Sequence, residues 1–510
     1  MADVVVTGDP LTPEDVLAVA RGGAGVRLDP RALDALAAGR AVVERLAAAD
    51  RPAYGVSTGF GALATRHIPV ESRAQLQRSL VRSHAAGMGD PVEPEVVRAM
   101  MALRLRTLCT GRTGVRPVVA ETLAALLNTG ATPVVPEHGS LGCSGDLAPL
   151  AAVALALMGE GSCHTDGEVV PAAEVLRAAG AEPVVLAEKE GLALINGTEG
   201  MLGMLVLALD DLAALLTVAD VGAAMSVEAL LGTDRVFAAD LQALRPHPGQ
   251  AASAANLRAL LAGSPIVASH REGDTRVQDA YSLRCSPQVH GAARDTLAHA
   301  RAVAERELSA TIDNPVVLPD GRVESNGNFH AAPVGYACDF LAIAVADVGS
   351  IAERRTDRML DKARSHGLPP FLAADPGVDS GLMIAQYTQA GMVAENRRHA
   401  VPASADNVPT SGMQEDHNSM GWGAARKLRR SVANLRRILA VELVVAARAL
   451  DLRAPLAPAA GTGAARDALR AVVPGVGPDR WLAPELAAAE ELLRSGALPA
   501  AVRAAGVELA

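Results

Sequence analysis

A chain of 510 residues is too long for one compact core and calls for two or three packed regions, or for an extended bundle that unites them. Apolar residues make up 50% of it but aromatics only 2%, so Ala, Leu and Val must fill the interior, a composition that favours helices over strands. With 47 basic and 57 acidic residues the net charge is −10, and no long basic run is present, which argues against nucleic acid as a partner.

Met1 to Pro10 contains no apolar run of signal-peptide length, so secretion has no support. Thr12-Pro13-Glu14-Asp15 predicts a helix N-cap with Pro in the first turn, and Pro30 to Ala49 a second helix. Tyr54 to Gly61 holds too many glycines for a helix and alternates too little for a strand, so it reads as a loop. Helical spacing returns over Glu71 to Ala86 and Pro94 to Leu127, and Pro133, Pro136, Gly139, Gly142 and Gly145 then break the chain before it resumes after Ala148. Residues 162–188 predict a hairpin turning at Asp166-Gly167.

Long helices are expected over Gly200 to Leu231, Val289 to Ser309, Pro333 to Leu360, Gly381 to Arg398 and Met420 to Leu450. Met201 to Leu231 is apolar enough to suggest a membrane span, but Asp210, Asp211, Asp220 and Glu228 interrupt it, so a buried helix and no membrane partner are expected. The fold class is therefore mainly α. Residues 1–200 form a mixed N-terminal region that carries the glycine-rich loops, 201–455 a central long-helix bundle, and 456–510 a loosely attached helical tail. The odd, scattered cysteines 109, 143, 163, 285 and 338 make neither a disulfide framework nor a CxxC metal site, which suits a reducing cytoplasm. The histidines show no metal-ligand spacing, so no metal is expected.

The most informative segment is Gly139-Ser-Leu-Gly-Cys-Ser-Gly-Asp-Leu-Ala-Pro-Leu150. Its glycines permit a strained loop in which the Gly145 nitrogen could reach the Cys143 carbonyl carbon, because no Cβ at Gly145 blocks the approach. Closure and loss of water would leave a methylidene group derived from Ser144. Spacing alone also allows a plain turn or a phosphate cradle at a helix N-terminus. The P-loop pattern and the Gly-x-Ser-x-Gly hydrolase elbow are both missing, and no nucleotide is expected.

This segment resembles the Ala-Ser-Gly-Asp signature of the aromatic amino-acid ammonia-lyase family, with Cys143 in place of the usual Ala. In that family the tripeptide cyclises to 4-methylideneimidazole-5-one (MIO), so Cys143, Ser144 and Gly145 would form it here. The likeness runs from about Tyr54 to Trp422. It implies that Tyr54 in the inner loop removes the substrate β-proton and that Asn196, in Ile195-Asn196-Gly197, contacts the substrate carboxylate. In Gln278-Asp-Ala-Tyr-Ser-Leu-Arg284 it implies a weaker site contact from Gln278, a contact to the MIO carbonyl or proton network from Tyr281, and a carboxylate clamp from Arg284, whose fork suits that group.

Phe329, in Asn326-Gly-Asn-Phe-His330, would shape the pocket, with Asn326 able to face it. Ser83-His84 and Glu415, in Gln414-Glu-Asp-His417, are similar to the histidine-selective branch; His84 would bind substrate, and Glu415 would face the imidazole. A carboxylate left against a phenyl ring would be desolvated at a cost of roughly 1–3 kcal/mol. The resemblance thus implies elimination of ammonia from L-histidine to give trans-urocanate, in a homotetramer that shares active sites. The alternatives are a phenylalanine or tyrosine ammonia-lyase, or an MIO-dependent aminomutase.

Overall fold

The Ala- and Leu-rich stretches become long helices: Glu199–Ala229, Ser286–Ser309, Ala332–Leu360 and Gly421–Asp451. At 1.5 Å per residue the longest span about 46 Å. The computed structural model describes residues 2–49, Gly55, Thr58, 68–274 and 276–510. Tyr54, the expected base, lies outside the described residues.

Helix ends follow local chemistry. Pro13–Ala20 opens with a capping box: Asp15 N donates to Thr12 Oγ1 at 3.1 Å, and Thr12 N donates to Asp15 Oδ2 at 3.0 Å. The stretch from Pro94 expected as one helix is two, Pro94–Cys109 and Pro117–Asn128. The break falls at Gly111 and Gly114, both with φ of +71°; a Cβ on Gly111 would lie 2.2 Å from the Ala35 carbonyl oxygen. The expected hairpin is present as Ser162–Thr165 paired with Glu168–Pro171, with Asp166 and Gly167 at positive φ. The rest of that stretch is not strand, since Ala172–Ala178 is helical.

The chain forms two compact units, each built from separate stretches. The first is Met1–Leu207, Arg301–Asp339 and Pro402–Arg426; the second is Ala208–Ala300, Phe340–Val401 and Lys427–Ala510. These do not coincide with a division into consecutive regions. The first unit holds short sheets, among them Val4–Val6 parallel to Val26–Leu28 and Met88–Pro91 antiparallel to Pro136–His138.

The second unit is helical, with paired charged groups in its interior. Buried Asp220 accepts from Ser253 Oγ (2.5 Å), His290 Nδ1 (2.8 Å), Arg294 (2.8 Å) and Asn256 (2.9 Å). Glu190–Ala229 and Ala332–Leu360 are long and apolar enough to cross a membrane, yet 72% and 67% of their apolar windows are buried inside the protein. The tail is not loosely attached. Ala465, Leu469, Leu498 and Val502 are fully buried, and the Ala459 amide donates to Glu228 Oε1 at 2.8 Å.

Candidate active site

The glycine-rich loop of the first unit is held in shape from three sides. Gly142 and Gly145 take φ of +67° and +80°, where a side chain is strained, and neither has room for one. A Cβ on Gly145 would meet the Gly197 carbonyl oxygen at 2.2 Å, and one on Gly142 would meet Ser419 Oγ at 2.3 Å. Ser419 Oγ donates to the Gly142 carbonyl at 2.7 Å, and the Asp146 amide donates to Gly197 O at 2.6 Å.

Asp146 joins this loop to the start of the Glu199–Ala229 helix. It stands directly before Leu147–Leu157 in the N-cap position, but its side chain makes no cap there. Instead Oδ2 accepts the Gly200 and Met201 amides at 2.9 and 3.0 Å, while Oδ1 accepts Ser140 Oγ at 3.0 Å. The carboxylate thus satisfies orphan donors at the positive end of the other helix. Complete burial pushes its pKa up to about 7 even though these donors pull it down.

Two side chains grip Ser144. Asn196 Nδ2 donates to the Ser144 carbonyl at 3.0 Å, and Ser144 Oγ donates to Glu415 Oε1, also at 3.0 Å. Asn196 is 3% exposed, and its Oδ1 has no hydrogen-bond partner among the described residues, which leaves an acceptor turned into the protein. Glu415 is itself anchored, since Thr410 Oγ1 donates to its Oε2 at 2.8 Å and the Thr410 amide donates to its carbonyl at 3.0 Å. The Cys143 thiol is pushed up to about 12, first by burial and then by Glu415, so it is a protonated thiol and not a thiolate nucleophile.

Asn196 follows directly on the helix Glu190–Ile195, whose preceding residue, Lys189, sits at φ +69°. Buried Lys189 Nζ bonds Asp313 Oδ2 at 2.5 Å and the Thr113 carbonyl at 2.8 Å, fixing where that helix starts. Arg104 donates through Nε to Ala193 O at 2.9 Å and through Nη1 to Glu199 Oε1 at 2.8 Å, which fixes the helix's far end against the next one.

His84 lies in the last turn of Arg73–His84. Its Nδ1 is 2.9 Å from the Leu80 carbonyl, which can only accept, so Nδ1 carries the proton. Burial lowers the pKa of this imidazole, with the Leu80 contact and the Glu415 charge opposing, and leaves a neutral ring with Nε2 as an acceptor.

Phe329 is half-buried on a segment tied to the Glu415 loop, because His330 Nε2 donates to the His417 carbonyl at 3.1 Å and the two rings stack at 5.7 Å. Asn326 does not turn a free amide outward: its Nδ2 donates to Asp313 O and its Oδ1 accepts the Asn328 amide, so its side chain shapes the loop. Gln278, Tyr281 and Arg284 belong to the second unit. There Tyr281 is 71% exposed, the Arg284 guanidinium lies 4.6 Å from its ring centroid, and Arg284 Nε has no hydrogen-bond partner among the described residues.

The structure therefore gathers Cys143, Ser144, Gly145, Asn196, His84 and Glu415 within one unit. Sequence reasoning missed Thr410 and Ser419 and gave Asp146, Asn418 and Trp422 no role. Asn418 donates to the Val408 carbonyl, and Trp422 Nε1 donates to Glu137 O at 2.7 Å, so both are braces for this loop region. A buried Asp following Gly145 was the one available signal, but it points equally to an ordinary N-cap.

Fold and site together define a mainly helical protein with a strained glycine-rich loop seated on a helix N-terminus. The model of the aromatic amino acid lyase family matches residues 11–471. A histidine ammonia-lyase of Streptomyces avermitilis is 66% identical over 500 residues, covering 98% of both chains, and one of Streptomyces coelicolor is 66% identical over 503 residues, also covering 98% of each. Among solved structures, a histidine ammonia-lyase from Trypanosoma cruzi superposes with a TM-score of 0.90 at 39% identity, covering 99% of this chain and 96% of that one. A tyrosine aminomutase from Streptomyces globisporus gives 0.92 at 39% identity, with 98% of each covered. The chain belongs to the aromatic amino acid lyase family and is a carbon–nitrogen lyase.

Proposed function

We propose that this chain eliminates ammonia from L-histidine to give trans-urocanate, with MIO formed from Cys143-Ser144-Gly145 as its electrophile. The loop fits that group: Gly145 carries no Cβ where one would strike Gly197, its φ is one that other residues rarely adopt, and the Ser144 hydroxyl and carbonyl are each held by a side chain. Once formed, MIO supplies an electrophile that turns a poor amino leaving group into a better one.

The observation that carries the histidine reading is the hydrogen bond from Ser144 Oγ to Glu415. When Ser144 loses its hydroxyl as water, the partly buried Glu415 carboxylate loses that donor at Oε1. An imidazole N–H, or an imidazolium, replaces it; a phenyl ring offers no donor and leaves the carboxylate desolvated, at a cost of about 1–3 kcal/mol. The relatives from Streptomyces avermitilis and Streptomyces coelicolor, named for histidine, support the same assignment.

Roles for the remaining residues are those that the family resemblance implies. Neutral His84 offers an acceptor close enough to Glu415 to feel its charge. Asn196 and Arg284 suit the substrate carboxylate, Arg284 with an Nε that has no hydrogen-bond partner among the described residues. Tyr54 is assigned the β-proton, Tyr281 a contact to the MIO carbonyl or proton network, Gln278 a weaker contact, and Phe329 a wall of the pocket. The exposed Tyr281 suits an active site shared in a homotetramer, and the odd, scattered cysteines suit a reducing cytoplasm.

The test is ultraviolet absorbance of the protein mixed separately with L-histidine, L-phenylalanine and L-tyrosine. Growth of a conjugated acid with histidine alone is expected; growth with tyrosine or phenylalanine would overturn the substrate assignment. Ser144→Ala should abolish turnover while the chain still folds, and retained activity would exclude the Ser144-derived electrophile.

A further inference from the structure

We propose that Glu415 also governs maturation of the Cys143-Ser144-Gly145 loop, by holding the Ser144 hydroxyl in the orientation from which it leaves as water. This rests on the cyclising-loop reading above and adds a role that precedes substrate binding.

Three contacts carry it. Glu415 Oε1 accepts Ser144 Oγ at 3.0 Å, across 271 positions of sequence. Thr410 Oγ1 holds the other carboxylate oxygen at 2.8 Å, and backbone pairing of Thr410 with Glu415 sets the loop, so the acceptor is fixed in place. Asn196 Nδ2 fixes the Ser144 carbonyl at 3.0 Å. The rotor that could otherwise swing Cβ–Oγ freely is therefore pinned at both ends, and a fixed bond orientation is what elimination requires.

The chemistry balances without an oxidant. In ring closure the Gly145 nitrogen bonds to the Cys143 carbonyl carbon, and the carbonyl oxygen departs as water with the amide hydrogens of Gly145 and Ser144. In the second step the Ser144 Cα–H and Cβ–Oγ bonds break and a Cα=Cβ bond forms. The hydroxyl leaves with one proton as water, and the Cα proton passes to solvent. Glu415 acts on the second step as a positioning residue. What it must provide is an acceptor oxygen, which glutamine retains and alanine lacks.

The experiment measures the mass of the proteolytic peptide containing residues 143–145 from purified full-length parent, Glu415→Gln, Glu415→Ala and Thr410→Val proteins after matched expression times. The parent and Glu415→Gln peptides should be two waters lighter than the encoded sequence, although Glu415→Gln loses histidine turnover. In Glu415→Ala the final dehydration should slow by roughly a hundredfold, the effect of misplacing a reacting group, so a species only one water lighter accumulates. Thr410→Val should show a partial shift of the same kind, and it decides the matter if Glu415→Ala does not fold. Complete loss of two waters in Glu415→Ala, or in Thr410→Val where that protein alone folds, overturns the proposal. A parent peptide at full mass would instead overturn the cyclising-loop reading itself.

Discussion

His84 shows how one hydrogen bond fixes a protonation state. Because the Leu80 carbonyl must accept, Nδ1 is the donor, and burial then resists a second proton on Nε2. The folded pKa lies below the ordinary value of 6.5. The stabilisation linked to neutral His84 is therefore present above 6.5 and is lost as pH falls through the lower folded value. A proton NMR titration of the parent against His84→Gln should show one imidazole signal with a midpoint below 6.5, missing from the variant. A midpoint at or above that value would show that the Glu415 charge outweighs burial. At this scale the sequence exposed residues that announce themselves by type and setting: Ser144 between glycines, Asn196 after an apolar run, Glu415 in an acidic loop. It could not expose Thr410 or Ser419, because a hydroxyl that braces a loop looks like any other hydroxyl until the fold brings its acceptor close.

Among elements, the joint between the Ser144 loop and the Glu199–Ala229 helix bears the most consequence. Asp146 replaces solvent for two helix amides at a fully buried position, so Asp146→Ala should leave both unsatisfied at about 1–3 kcal/mol apiece and also loosen Ser140. Thermal melting should register the loss, and the Ser144 peptide should mature less completely. An unchanged melting temperature would mean that the amides find other acceptors. The long helices were legible because Ala and Leu recur over many turns and Pro or Gly marks their ends. The break between Cys109 and Pro117 was not, because Gly111 and Gly114 there answer to close approaches by Ala35 and Val43, contacts invisible in sequence. The tail misled for a related reason. Its Ala-rich helices look weakly apolar one by one, yet they bury Leu469, Leu498 and Val502 once packed.

Across the whole molecule, the division into consecutive regions failed because helices such as Ser286–Ser309 and Ala332–Leu360 each contribute residues to both compact units. Units built from distant stretches need long-range contacts to define them, and in the second unit the Arg355–Glu442 pair is one such contact. Both side chains are fully buried; Arg355 Nε and Nη2 meet the two carboxylate oxygens, the latter at 3.0 Å, and Ser226 Oγ donates to Glu442 at 3.0 Å. A buried pair of this kind is weak evidence of net stabilisation, but breaking it strands a charge. Arg355→Met should therefore destabilise by about 3–5 kcal/mol, whereas Arg355→Met with Glu442→Leu should recover most of that loss, since neither charge remains to be desolvated. Melting temperatures of the parent, the two single variants and the double variant test this directly. A double variant that melts no higher than Arg355→Met would mean that Ser226 and Ser286, which also contact the pair, depend on its charges for their own hydrogen bonds, making the cluster a single unit and not a salt bridge with neighbours.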